Sequence, residues 1–149
     1  MSAAVSQHLA AADLLVMAAA VADYTPAQAT EGKIEKSDQP LSLNLVRTPD
    51  ILAEAGRARG AASRPVLIGF AAEAGDPVAR ARVKLLAKRV DMIVANDITR
   101  ADAGFDAETN AVTLVTADDE QEVALAPKPQ IAAAILDRAE KILSWTPAR

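Results

Sequence analysis

Short apolar runs alternate with helical stretches along this chain. Leu14–Ala20, Val66–Ala71 and Asp91–Ala95 are brief, largely apolar and rich in β-branched or small residues, as buried strands are. Residues 3–12 read as an alanine-rich helix of weak periodicity. Thr48-Pro49-Asp50 announces the next helix: a hydroxyl that can accept from a free backbone N–H, a proline suited to the first helical position, and a carboxylate at the positive end. Gly60 is placed to end it. Asp76-Pro77 repeats the start signal ahead of VARARVKLLAKRV. With a strand expected over 41–46, the order is helix, strand, loop, strand, helix, strand, helix, strand. That alternation predicts an α/β fold of the Rossmann-like kind, an open and mostly parallel sheet with flanking helices.

The pattern changes after Asn96. Residues 97–110 are polar and rich in turn formers; AVTLVT and QEVALA then flank ADDE and predict a β-hairpin, at a sheet edge or in a dimer contact. Ile131, Ala134, Ile135, Ala139 and Ile142 recur at helical spacing and predict a last helix over 128–143. Residues 22–39 fit no regular element and are long for a connection. They follow a strand end, where open α/β sheets place ligands. No internal repeat or long linker divides the chain, so a single domain over residues 1–149 is expected.

Composition narrows the possibilities. The chain has 149 residues, 51% of them hydrophobic and 24% charged, which suits a globular domain rather than a disordered one. No cysteine is present, so disulfides, thiolate metal sites and a catalytic thiol are excluded, and the cytoplasm is the expected compartment. The one histidine, His8, sits in the alanine-rich stretch and predicts only a surface position. No apolar run approaches the length of a membrane span, and no basic secretory start is seen. The net charge is −4 and the aromatic residues number four (Tyr24, Phe70, Phe105 and Trp145), which argues against nucleic acid as a partner.

Chemistry is concentrated in a few places. Arg80, Lys84 and Lys88 recur every four residues and form one basic stripe on a helix. By itself such a stripe is ordinarily a solvated face. Here it opens just after GFAAE, so a strand end, a turn and a basic helix converge as a polyphosphate would require. Lys33 and Lys36 flank Glu35 in GKIEKS, where a mobile lysine could close over a phosphate; an ordinary polar loop is the plainer alternative. Asp23, just past the AAAVA run, could accept from a sugar hydroxyl or meet a cation, or merely cap a strand end. Phe70 could pack on a nucleobase or lie in the core. Neither G-x-G-x-x-G nor G-x-x-x-x-G-K-[ST] occurs, so the usual nicotinamide fingerprint and the Walker loop are missing.

Six stretches in order, MAAAVADYTP (17–26), GKIEKS (32–37), LVRTPDIL (45–52), IGFAAEAGD (68–76), KLLAKRVDMIVAND (84–97) and GFDAETNAVTLV (104–115), resemble the phosphopantothenoylcysteine synthetase family of coenzyme A biosynthesis. The resemblance runs to about residue 140. In bacteria that domain is usually the C-terminal half of a bifunctional protein fused to a flavin-dependent decarboxylase. The resemblance implies a ligase that joins 4′-phosphopantothenate to cysteine through an acyl-cytidylate made with CTP, assisted by Mg²⁺, in a homodimer. It implies nucleotide contacts at Met17, Ala18, Ala19, Asp23, Lys33, Pro49, Asp50, Ile51, Leu52, Phe70, Lys84 and Lys88, with Asn96 near the site. Lys84 and Lys88 would hold the triphosphate, and Phe70 and the 49–52 turn would frame the base. Lys33, on a flap, would be the catalytic residue supporting acyl-cytidylate formation. No residue is implied as a metal ligand.

Two departures accompany the resemblance. Where the family's flap often reads Lys-Ile-Lys-Lys, this chain has Glu35 in third place. The family's first strand, its glycine-containing phosphate turn and an Asn-bearing Ser-Ser-Gly-Lys segment have no counterpart here, so the chain is expected to be a C-terminal portion of the synthetase domain. Without those strands the sheet would expose an edge, and lower stability, aggregation or compensating self-association is expected. The resemblance implies a dimer, and residues 104–126 are the candidate contact. The alternative reading is a Rossmann-like nucleotide-binding or dimerisation module with no activity of its own. A nicotinamide oxidoreductase fragment is the third reading, which the missing glycine fingerprint disfavours.

Overall fold

The computed structural model describes residues 1–29, 31–35, 40–99 and 107–145. They form two compact units: residues 1–18 with 51 onward, and residues 19–50.

The larger unit is built on a five-stranded sheet. Its strands are β1 (Leu14–Met17), β4 (Val66–Glu73), β5 (Met92–Asp97), β6 (Thr109–Val115) and β7 (Glu120–Pro127), side by side in that order. β1, β4 and β5 run parallel; β6 and β7 are antiparallel and form the expected hairpin, with β7 at the edge. The helices are α1 (Ser2–Leu9), α2 (Ile51–Arg59), α3 (Pro77–Lys88) and α4 (Lys128–Trp145). None is long and apolar enough to cross a membrane.

Alternate residues of the strands go to opposite faces. On one face Leu67, Ala71, Ile93 and Ala95 pack with Leu9 of α1, Leu52 and Ala55 of α2, and Ala81 and Leu85 of α3. On the other, Ile68, Met92, Val94 and Leu114 pack with Ile131, Ile135 and Ala139 of α4. The sheet therefore lies between a three-helix layer and a single long helix, and the parallel strands are apolar on both faces because both are covered.

Local signals explain the helix boundaries. The Asp76 carboxylate accepts the Ala79 N–H at 3.0 Å and Pro77 occupies the first turn of α3. Gly60, at φ +62°, follows α2 in the left-handed conformation that glycine adopts without penalty. α2 itself begins at Ile51, two residues beyond the proline expected to open it.

The smaller unit corrects two expectations. The strand predicted over 41–46 is only Leu45–Arg47 (β3), and it does not join the main sheet. Within residues 22–39, expected to be irregular, Tyr24–Pro26 forms a short strand (β2) that pairs antiparallel with β3. The Thr48 hydroxyl donates to the Ala22 carbonyl at 2.6 Å, and the Ala27 N–H donates to Asn44 O at 2.8 Å. Leu41, Leu43 and Leu45 alternate with Ser42 and Asn44, yet all three leucine side chains are exposed. Periodicity of two reports an extended backbone; it does not name the sheet that backbone joins.

Candidate functional site

Three parallel strands end on the same edge of the main sheet, at Met17, Glu73 and Asp97. β4 leads from that edge into α3, whose axis therefore starts beside the strand ends. The edge itself is firm: the Ile98 N–H donates to the Glu73 carbonyl at 3.0 Å, and Asp97 accepts from the Thr99 N–H and hydroxyl at 2.9 and 2.7 Å.

On the α2/α3 face the edge carries an ionic cluster centred on Glu73. This carboxylate is buried, and its two oxygens are divided between two cations of α3. Oε2 accepts from Arg80 Nη1 at 3.0 Å, and Oε1 meets Lys84 Nζ. The hydrogen bond from Lys84 holds the Glu73 carboxyl below its ordinary value; it outweighs burial, which pushes the other way, and Arg80 adds to the depression. Both cations remain open to solvent, Arg80 at 62% and Lys84 at 41% side-chain exposure, against 10% for Glu73. The charges are layered, with the anion beneath and the cations above.

The basic stripe is thus real, but its members differ. Arg80 and Lys84 share one counter-ion near the strand ends. Lys88 stands one turn further along α3, about 6 Å away along the axis, where its backbone carbonyl faces Gly56 of α2. Sequence reasoning passed over Glu73, although GFAAE places an acidic residue seven positions before Arg80. An isolated glutamate at the end of an apolar strand is the signal that could have found it, because a charge at an otherwise buried position needs a partner.

The opposite face of the same edge is different. Phe70 is even-numbered on β4, like Ile68, and so points to the α4 side, where it is 43% exposed. Asn96 lies on the same face, opposite Ala72 in the register, and its Nδ2 donates to Asn110 Oδ1 at 3.4 Å. Asn110 borders an irregularity in the β6–β7 pairing. An exposed aromatic ring and a carboxamide pair therefore share one face, and the ionic cluster holds the other.

The remaining expected residues fall into groups. Met17 ends β1 and Ala18 follows it, exposed. Ile51 and Leu52 are buried, and Leu52 packs over Gly69. Ala19, Asp23, Lys33, Pro49 and Asp50 belong to the smaller unit; all five are exposed, and the Asp23 carbonyl accepts the Thr48 N–H at 3.0 Å. Lys36 lies outside the described residues, as do 104–106 of the expected dimer contact. A cavity of about 690 Å³ sits at the end of the sheet where β5 begins, among Val90, Asp91, Thr116, Asp119, Arg138 and Ile142, and none of the residues expected to bind a nucleotide lines it.

Among the described residues no group of three His, Asp or Glu could hold a metal ion. Glu73 is already committed to two cations. An all-protein magnesium cage is therefore not offered by the described residues.

Comparison with known proteins bears on this arrangement. The profile described as the DNA/pantothenate metabolism flavoprotein C-terminal domain matches residues 1–143. The coenzyme A biosynthesis bifunctional protein CoaBC of Bacillus subtilis is 45% identical over 108 residues, covering 72% of this chain and 26% of that protein. The CoaBC protein of Vibrio cholerae is 38% identical over 138 residues, covering 91% of this chain and 34% of its own. The crystal structure of the C-terminal domain of a CoaBC protein superposes with a TM-score of 0.74 at 33% identity, over 96% of this chain and 61% of that one. The chain thus spans about a quarter to a third of these curated relatives. A match over nearly the whole length, in both sequence and fold, places this chain in the DNA/pantothenate metabolism flavoprotein C-terminal domain family.

Proposed function

We propose that this chain is the nucleotide-handling part of a ligase of coenzyme A biosynthesis, which joins 4′-phosphopantothenate to cysteine at the expense of CTP. The observation that carries this reading is the cation pair Arg80 and Lys84, exposed at the edge where the parallel strands end. Ligands of open α/β sheets bind at that edge. Similarity to the CoaBC proteins of coenzyme A biosynthesis supports the substrate class.

In this proposal the carboxylate of 4′-phosphopantothenate attacks the α-phosphorus of CTP. The bond to the bridging oxygen breaks, pyrophosphate leaves, and an acyl-cytidylate remains. The amine of cysteine then attacks the acyl carbon, loses a proton, and CMP departs. Lys84 and Lys88 bind the phosphate chain, and Lys33 on the smaller unit stabilises charge developing at the α-phosphate. Phe70 packs on the base, with Asn96 beside it on that face, while Asp23 takes a ribose hydroxyl. With Ile51 and Leu52 buried, contact there falls to the backbone N–H groups of the first turn of α2. Mg²⁺ enters with the triphosphate.

The same proposal has a second copy of this chain as partner, meeting it through residues 104–126, a flavin-dependent decarboxylase in the same polypeptide as its upstream neighbour, and the cytoplasm as its compartment. Charge reversal along β7 that leaves the sedimentation coefficient unchanged would remove the dimer contact from the proposal.

Calorimetric titration with CTP and ATP, each with Mg²⁺, tests the central reading. Saturable CTP binding, weaker ATP binding and loss of both in a Lys84→Ala, Lys88→Ala double variant are expected. A folded chain that binds neither nucleotide favours the second reading, an assembly module, to which the exposed apolar side chains of the smaller unit (Tyr24, Leu41, Leu43, Leu45) lend support.

A further inference from the structure

We propose that Glu73 is a positioning residue for phosphate binding: it pins Arg80 and Lys84 side by side as one anion-binding unit at the end of β4. The proposal deepens the nucleotide-binding reading above and rests on it.

The argument begins with repulsion. Two cations four residues apart on a helix oppose each other and, left to themselves, would swing apart into solvent. In this structure they are held by the two oxygens of one carboxylate, Arg80 on Oε2 at 3.0 Å and Lys84 on Oε1. Glu73 can do this because its backbone and its side chain are both held by neighbouring elements. It sits in the last position of β4, its backbone carbonyl bonded to Ile98 of the neighbouring strand, and its side chain is buried beneath α3. A carboxylate held from below consumes donors on the inner side of each cation. An ammonium has three N–H groups and a guanidinium five, so donors remain for a ligand on the outer side. The exposures agree: 62% and 41% for the cations, 10% for the carboxylate. The trio carries a net charge of +1, enough to attract phosphate, and its donors are oriented in advance, so less side-chain entropy is lost on binding.

A different role would have the opposite sign. If Glu73 were a competing counter-ion, which the ligand must displace, then removing its charge would tighten anion binding. The test therefore reads a direction. Inorganic tripolyphosphate and CTP, each with Mg²⁺, are titrated calorimetrically into the wild-type chain and into the Glu73→Gln, Glu73→Asp, Lys84→Ala and Glu73→Gln/Lys84→Ala variants. Arg82→Ala serves as a control, because Arg82 lies on the same helix but pairs with Glu120. Thermal melts establish that each is folded.

The expected result is that Glu73→Gln weakens both ligands by about tenfold or more, the size of one charge-assisted hydrogen bond. Glu73→Asp should lose less, Arg82→Ala nothing, and Glu73→Gln should add nothing once Lys84 is gone. A lowered melting temperature with unchanged affinity would reduce Glu73 to a structural ion pair, and tighter binding in Glu73→Gln would make it a competitor; either overturns the proposal. If tripolyphosphate binds in the expected pattern and CTP binds no better, Glu73 keeps its role and the cytidine reading fails. If neither ligand binds the folded wild-type chain, both fail. Should Glu73→Gln not fold, the carbon-13 titration of Glu73 in the wild-type chain decides. A midpoint that stays depressed with tripolyphosphate bound supports positioning, and one that rises shows that the ligand has pulled the cations away.

Discussion

A Cβ atom on Gly56 would stand 1.9 Å from the carbonyl oxygen of Lys88. Helices α2 and α3 touch there, and only a residue without a side chain lets the two backbones approach. In an exposed helix interior, glycine to alanine gains about 1 kcal/mol. Here the sign reverses. Gly56→Ala must push the end of α3 away and is expected to cost ~3 kcal/mol, at the upper end of overpacking, measured by urea denaturation. Because the displaced turn contains Lys88, nucleotide affinity should fall with it.

Arg59, at the end of α2, ties three segments together. Its Nη1 meets Asp91 and donates to the Pro65 carbonyl at 3.2 Å, and its Nη2 donates to the Arg89 carbonyl at 2.7 Å. Asp91 in turn accepts the Leu67 N–H at 2.7 Å. The arginine side chain is 8% exposed and Asp91 27%, so truncation removes a mostly buried side chain and its hydrogen bonds while Asp91 keeps contact with solvent and with Leu67. Arg59→Ala is expected to cost ~2 kcal/mol. Arg59→Lys should recover only part of it, since an ammonium cannot span the three acceptors. The exposed pair Arg82–Glu120 is the contrast: Arg82→Ala should change stability by less than ~0.5 kcal/mol.

Stability should fall on acidification partly through Glu73. Its folded-state pKa lies below the ordinary value of 4.5, chiefly through the hydrogen bond from Lys84. A depressed carboxyl contributes stability that is present above the unfolded value and is lost as the pH drops through the folded one. Glu73→Gln should therefore flatten the stability profile below pH 4.5 and leave its shape near neutrality unchanged. Lys84→Ala should move the Glu73 midpoint upward in a carbon-13 titration.

Phe70 gives a prediction that separates base from phosphate. The ring lies on the α4 face, and Arg80 and Lys84 flank the other. Being 43% exposed, it contributes less to the core than a buried ring. Phe70→Ala should weaken CTP by roughly tenfold, within the range of a single base–aromatic contact, and leave tripolyphosphate untouched. Equal losses for both ligands would place the ring's role in packing.

What could be read from the sequence was local. Asp76-Pro77 and Gly60 mark helix ends because a side-chain acceptor, a ring without an N–H and a residue without a Cβ act on their own few neighbours. The buried strands Val66–Glu73 and Met92–Asp97 and the β6–β7 hairpin were legible for the same reason: their apolar patterns are local properties. The stripe of Arg80, Lys84 and Lys88 followed from helical spacing, and six motifs in order carried the family.

The tertiary structure decided which of these pieces meet. The pattern of residues 41–46 reads as a strand, but only the fold sends Leu45–Arg47 to Tyr24–Pro26 rather than to the main sheet. Gly56 is unremarkable in sequence and indispensable where Lys88 passes. Glu73 is one acidic letter in GFAAE until β4 and α3 fold together and bring Arg80 and Lys84 onto its two oxygens. Helical spacing alone cannot tell Lys84, paired beside the strand ends, from Lys88, one turn beyond. The physical reason is common to all three: charge pairing, close approach and strand partnership are set by distances between segments far apart in the chain. Periodicity records the local conformation of a segment, never what that segment meets.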